Sequence, residues 1–216
     1  MEKKPIYHLL SFSLLFILIS CVNTEQNEII ETDYNLLDPE TTEGITISES
    51  QEQMMHFFAK VQENTVGKSI PDITVFSLTG TPLNLKNIIN SKTILISADA
   101  YCAWGQEGIS NDFPKTITHI KNDYKEFDYE IICLLKREAS DIENPQQFNL
   151  LINEVKKSYK SLYVIDESES RKLNLFANPV RLYINEDKVV TYIGIGTSLI
   201  EEALYYEIYE NTVANN

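Results

Sequence analysis

Apolar residues in this chain fall into short dense runs separated by longer periodic segments, and that alternation predicts the elements. Residues 93–97 and 129–135 are β-branched and aliphatic runs with the length of buried strands, and 162–165 is a third. Between them the spacing becomes helical. Residues 106–124 carry Ile109, Phe113, Ile117 and Ile120 on one stripe, and 144–159 turn Phe148, Leu151, Ile152 and Val155 inward. Lys156, Lys157 and Lys160 sit near the C-terminal end of the second helix, where its dipole favours cations. Pro114 stands inside the first, and a missing N–H plus a ring clash predict a bend near 110–114. Upstream, 73–78 reads as a strand, 79–82 as a turn, Leu83 and Leu85 as a second short strand, and 86–90 as a helical turn. Downstream, 167–176 is a shorter helix. Strands at 181–184 and 189–193 flank the hairpin signal Asn185-Glu186-Asp187-Lys188, and a Tyr- and Glu-rich helix over 198–209 closes the chain.

The first residues follow a different pattern. Lys3 and Lys4 precede an almost unbroken apolar stretch, 9–19, too short for a comfortable membrane span. It ends at Leu18-Ile19-Ser20-Cys21, which resembles the lipobox of bacterial lipoproteins. That resemblance implies removal of a signal peptide, 1–20, and lipidation of Cys21, a membrane anchor made stable by several acyl chains. An ordinary signal peptide with an incidental cysteine is the other reading. Val22 rather than Asp follows the cysteine, which under the enterobacterial sorting rule implies the outer membrane of the cell envelope, facing the periplasm. Residues 21–65 read as an acidic tether, mostly disordered to 49, with a possible short helix at 50–62 where Met54, Phe57, Phe58 and Val61 share a face. The compact domain is expected over 66–216.

Composition adds limits. The chain has 216 residues, 43% hydrophobic and 23% charged, enough for one real core. Its net charge of -14 argues against nucleic acid as a partner. Loss of Lys3, Lys4 and Glu2 with the signal peptide brings the charge to -15, so the domain's surface should not bind anionic lipid. No repeat, glycine-rich phosphate loop, metal-ligand spacing or Ser-His-Asp set occurs, so neither a metal nor a cofactor is expected. His119 reads as a surface or half-buried helix residue.

The candidate chemistry lies in cysteine. With Cys21 used for lipid, Cys102 and Cys133 remain. Cys133 sits mid-run among Ile and Leu and reads as a core residue. Cys102 follows the 93–97 strand in Ala98-Asp99-Ala100-Tyr101-Cys102-Ala103-Trp104-Gly105 and precedes a helix. At a helix N-terminus, free N–H groups and the positive dipole end favour the thiolate. A small buried hydrophobe is the alternative.

The order strand, cysteine, helix, strand, helix, strand, short helix, X-Pro, hairpin, helix resembles the thioredoxin fold. Within it, the order resembles the membrane-anchored TlpA/ResA-like thiol–disulfide oxidoreductases. The matching stretches are V-G-K-S-I-P-D-I-T-V-F-S-L-T-G, A-Y-C-A-W-G, Y-V-I-D, N-P-V-R-L-Y-I and V-V-T-Y-I-G. The resemblance implies an α/β, thioredoxin-like fold, a central mixed β-sheet flanked by helices. It implies that Cys102 is the attacking cysteine, served by the backbone N–H groups of Ala103 to Gly105 and rimmed by Tyr101 and Trp104. Pro179 takes the place of the family's cis-proline, and the backbone of Asn178 would pair with a substrate strand.

The departures matter as much. Gly105 stands where the resolving cysteine belongs, so a mixed disulfide on Cys102 would need an external thiol to release it. The acidic residue expected three places later is Gly108. Asp99, near the strand end, would raise the Cys102 pKa. Peroxiredoxins need Thr or Ser where Asp99 stands. The expectation is thiol–disulfide exchange through one cysteine with a protein or thiol partner of the envelope. The alternative is a redox-inactive module that binds a peptide or protein, and a one-cysteine peroxidase passing through a sulfenic acid comes third.

Overall fold

The protein is described by a computed structural model, which covers residues 28–32, 47–100, 108–143, 145–177, 179–196 and 201–215. Its elements in chain order are α1 (Ile47–Thr65), β1 (Thr74–Phe76), β2 (Pro82–Asn84), α2 (Leu85–Ile88) and β3 (Thr93–Ala98). A π-turn (Gly108–Asp112) leads into α3 (Phe113–Asp123). Then follow β4 (Glu130–Arg137), α4 (Ala139–Glu143), α5 (Gln146–Val155), β5 (Ser161–Asp166), α6 (Glu167–Lys172), β6 (Val180–Ile184), β7 (Val190–Ile195) and α7 (Glu201–Thr212).

Seven strands form one sheet in the order β2-β1-β5-β4-β3-β6-β7. β3, β4 and β5 run parallel, and β1, β6 and β7 pair antiparallel to their neighbours, so the sheet is mixed. β3 is central, and all six of its residues are buried. A strand covered on both faces reads as a continuous apolar run, which is why it stands out in the sequence. Alternation then sorts its side chains. Ile94, Ile96 and Ala98 join Cys133, Leu135 and Tyr183 under α3, α5 and α7. Leu95 joins Ile132, Leu134 and Leu182 on the opposite face, with Phe57 and Val61 of α1.

Three expectations change. Pro114 does not bend a helix interior. It occupies the first turn of α3, where a missing N–H costs nothing, and the irregularity moves upstream into the π-turn. The helix expected over 144–159 is α5 alone, with Pro145 at its N-cap and the separate α4 before it. Pro145, which has no N–H to continue a helix, stands between the two.

The third change lies upstream of Val66, in the stretch expected to be a tether. α1 runs from Ile47 to Thr65, longer than the expected 50–62, and fully buries Phe57 and Val61. Phe57 meets the edge of Phe176 at 4.7 Å. Residues 28–32 are also held on the domain. Ile29 is buried and donates its N–H to the Ser69 carbonyl at 3.2 Å. Buried Asn174, in the left-handed region at φ 55, accepts the Thr32 N–H at 3.0 Å and donates to Thr65 Oγ1 at 2.9 Å. The apolar stripe at 54–61 was legible, but its partner Phe176 lies too far along the chain for periodicity to show.

Candidate functional site

The C-terminal end of β3 is the point from which the chain passes through Asp99 and Ala100 to Cys102. Tyr101, Cys102, Ala103, Trp104, Gly105, Asn178 and Cys21 lie outside the described residues. Pro179 is described and is buried. The described residues at the site are those at the end of β3 and on the strands beside it.

β3 and β6 pair in register from Thr93↔Ile184 to Ile96↔Arg181. One step further, Ser97 faces Val180. There a side chain takes over from the backbone ladder: Ser97 Oγ accepts the Val180 N–H at 2.9 Å and lies 3.4 Å from the Val180 carbonyl. The end of the central strand is thus tied to the residue that follows Pro179. The Pro179 carbonyl is engaged as well, accepting the Gly196 N–H at 3.0 Å.

On the β6 side lies a buried ion pair. Arg181, 3% exposed, reaches Glu207 of α7 with both ends of its fork, Nε to Oε1 at 2.6 Å and Nη2 to Oε2 at 2.7 Å. Nη1 donates to the Gly196 carbonyl at 3.1 Å, and the Tyr183 hydroxyl donates to Glu207 Oε1 at 2.9 Å. Burial pulls the guanidinium pKa down, but the hydrogen bonds and charge of Glu207 outweigh it and leave the pKa above its usual value. Gly194, paired with Arg181 across β6 and β7, makes room for this group. A Cβ there would stand 2.6 Å from Glu207 Oε1 and 2.9 Å from Arg181 Nη2.

On the β4 side, Lys136 Nζ lies 3.4 Å from Asp99 Oδ2, each side chain 13% exposed, and donates to the Leu175 carbonyl at 3.2 Å. The carboxylate expected to hold the thiolate back therefore has a cation against it. Glu138, two residues on, has its carboxyl pKa raised by burial and by Glu167, Asp141 and Asp99.

Beyond the cysteine segment, the π-turn is held by hydroxyls. Pro114 offers no N–H to the Ser110 carbonyl, and Ser158 Oγ donates to that carbonyl at 3.0 Å. Buried Tyr159 donates its hydroxyl to the Ile109 carbonyl at 2.8 Å. Cys133 is fully buried in β4, and burial pushes its thiol well above the usual range. His119 is exposed, 3.4 Å from Glu201. Among the described residues no group of three or more His, Cys, Asp or Glu could hold a metal, and no helix is long and apolar enough to cross a membrane.

Ser97, Lys136, Arg181, Gly194 and Glu207 were not singled out from the sequence. A signal existed for two of them: an arginine opening an apolar strand, and a glycine inside the next strand. A glycine so placed marks a close approach.

No family model matches this chain, and no curated protein matches it. Solved structures do. A thiol:disulfide interchange protein from Bacteroides sp. is 15% identical with a TM-score of 0.50, covering 70% of this chain and 91% of that one. The thioredoxin domain of a thiol-disulfide oxidoreductase from Bacteroides vulgatus is 13% identical with a TM-score of 0.48, covering 68% and 96%. A thioredoxin-like protein from Bacteroides caccae is 17% identical with a TM-score of 0.46, covering 79% and 60%. The fold is thioredoxin-like: a mixed sheet flanked by helices, shared with thiol:disulfide interchange proteins.

Proposed function

We propose that this chain is a lipid-anchored protein of the bacterial cell envelope that exchanges thiol and disulfide through the single cysteine Cys102. One observation carries the reading: Ser97 ties the end of β3, four residues before Cys102 is reached from Ala98, to the backbone beside Pro179. The Cys102 thiolate attacks one sulfur of a partner disulfide. A bond forms between Cys102 and that sulfur, and the partner's other sulfur leaves as a thiolate and takes a proton from water. An external thiolate then attacks the partner's sulfur in the mixed disulfide and returns Cys102 as a thiolate. Gly105 cannot perform that second step, so the external thiol is part of the mechanism. The ammonium of Lys136 offsets the charge of Asp99 and removes the main objection to a reactive thiolate. The anchor on Cys21 and the envelope location belong to the same proposal and rest on the lipobox resemblance.

Gly105 itself favours a second reading, a module that binds a peptide or protein without redox turnover. The alkylation rate of Cys102 across pH separates the two, with Cys133 as the internal unreactive thiol. A Cys102 pKa below about 8.5, the free-thiol value, together with partner adducts lost in Cys102→Ser, supports exchange. A pKa at or above that value, with no thiol-dependent adduct, supports the binding module.

A further inference from the structure

A hollow opens between α3 and the first residues of β4 and β5, at the end of the parallel strands away from the cysteine segment. Its volume is about 380 Å³, within the range of small-molecule sites. Phe113, Ile117, Tyr129 and Tyr159, all buried, form its inner wall. The rim is polar, and its hydroxyls are already engaged. Thr118 Oγ1 donates to the Pro114 carbonyl at 2.8 Å, Ser158 Oγ to the Ser110 carbonyl at 3.0 Å and Ser161 Oγ to Glu130 Oε1 at 3.3 Å. The two tyrosine hydroxyls also donate to backbone carbonyls, Tyr159 to Ile109 and Tyr129 to Asn211. Two ammonium groups remain. Among the described residues Lys160 Nζ has no hydrogen bond or ion pair, and Lys121 Nζ meets only the Phe127 ring, 5.6 Å from its centroid. Glu130 forms no ion pair with either lysine. With two ammoniums and one carboxylate the hollow is net positive, in a chain whose charge is -14.

We propose that this hollow binds a small amphipathic anion: an aromatic ring or short aliphatic chain seated on Phe113, Ile117, Tyr129 and Tyr159, with its carboxylate, phosphate or sulfonate held at the mouth by Lys121 and Lys160. Neither lysine has to give up a carboxylate to take such a ligand, so the anion's attraction is not offset by a broken ion pair. A cationic ligand would meet two like charges. The order of polarity selects a free solute over a membrane lipid. A bilayer phospholipid presents its anion first and keeps its chains in the bilayer, whereas this hollow takes the apolar end first and meets the anion at the rim. The site is separate from the thiol chemistry proposed above and stands whether or not Cys102 exchanges disulfides.

The probe is 3-phenylpropionate, compared with 3-phenylpropanamide, which keeps the ring without the charge, and with acetate, which keeps the charge without the ring. Binding to the full chain is followed by the backbone N–H resonances of Glu130 and Ser161. 3-Phenylpropionate should shift both resonances saturably and bind at least about fivefold more tightly than either comparison compound. Lys121→Met with Lys160→Met should abolish its advantage over 3-phenylpropanamide and leave the binding of the neutral compound in place. Lys60→Met with Lys68→Met, which removes the same charge in and just after α1, should change neither. Equal affinity for 3-phenylpropionate and 3-phenylpropanamide in the unaltered chain overturns the proposal, as does an equal loss in the two double variants. Vesicles supply the last arm. If phosphatidylglycerol vesicles shift the two resonances, phosphatidylcholine vesicles do not, and 3-phenylpropionate leaves them unmoved, the lysines meet a membrane surface and the free-solute site is overturned.

Discussion

Two ion pairs flank the end of β3, and they are built differently. Arg181–Glu207, on the β6 side, is bidentate at 2.6 and 2.7 Å, shared with the Tyr183 hydroxyl and closed in by Gly194. Asp99–Lys136, on the β4 side, is a contact of 3.4 Å, with the ammonium also bonded to the Leu175 carbonyl. The first fixes geometry, because each of the three guanidinium nitrogens has a set partner and Gly194 packs close against the pair. The second sets potential, because a looser pair beside a strand end changes the local field more than the local shape. One side of the site is thus mechanical and the other electrostatic.

The largest test of that contrast is Arg181→Met alone. It leaves the Glu207 carboxylate buried without its partner and should cost about 3–5 kcal/mol in chemical denaturation. Adding Glu207→Leu should return most of the loss. If the single variant costs under about 1 kcal/mol, the β6 side is not the rigid one. Next, Gly194→Ala should cost about 1–3 kcal/mol, since the added Cβ meets a pair that cannot move aside.

A third test uses the buried thiol of β4. Cys133 stays protonated in the fold at a pH where the unfolded chain ionises. Below about 8.5 both states keep the proton and stability is unaffected; above it stability should fall by about 1.4 kcal/mol per pH unit. Cys133→Ala should flatten that limb between about pH 8.5 and 10, above which Tyr159 and Tyr183, also pushed up by burial, take over. The same slope with and without the thiol would remove Cys133 as its cause.

The smallest effect on stability, about 1 kcal/mol, is expected at the β4 pair, where the readout is reactivity. Asp99→Asn leaves the ammonium and should speed Cys102 alkylation at neutral pH; Lys136→Met leaves the carboxylate and should slow it. Equal rates in both would place the electrostatic side elsewhere.

The residues of the chain carried much of this in plain view. Buried strands such as Thr93–Ala98 announce themselves as apolar runs, and the hairpin at Asn185 lies where its turn residues put it, with the Asn185 side chain accepting the Val189 N–H. What stayed hidden depends on partners distant in sequence. Arg181 and Glu207 are 26 residues apart, and Ser97 and Val180 are 83 apart. No local period relates such positions. Pro114 misled for a different reason. The stripe from Ile109 to Ile120 crosses the π-turn without a break, so the true start of α3 left no mark on the hydrophobic pattern.

The hold on residues 28–32 has a consequence for distance. A chain anchored at Cys21 and free as far as Val66 could roam roughly 150 Å from the bilayer at full stretch. Bonded to Ser69 through Ile29, it has only the residues between Cys21 and Glu28 to pay out, about 25 Å. If Cys21 carries the proposed anchor, the domain would be held close to the bilayer, and lengthening the segment before Glu28 should widen the set of partners it can reach.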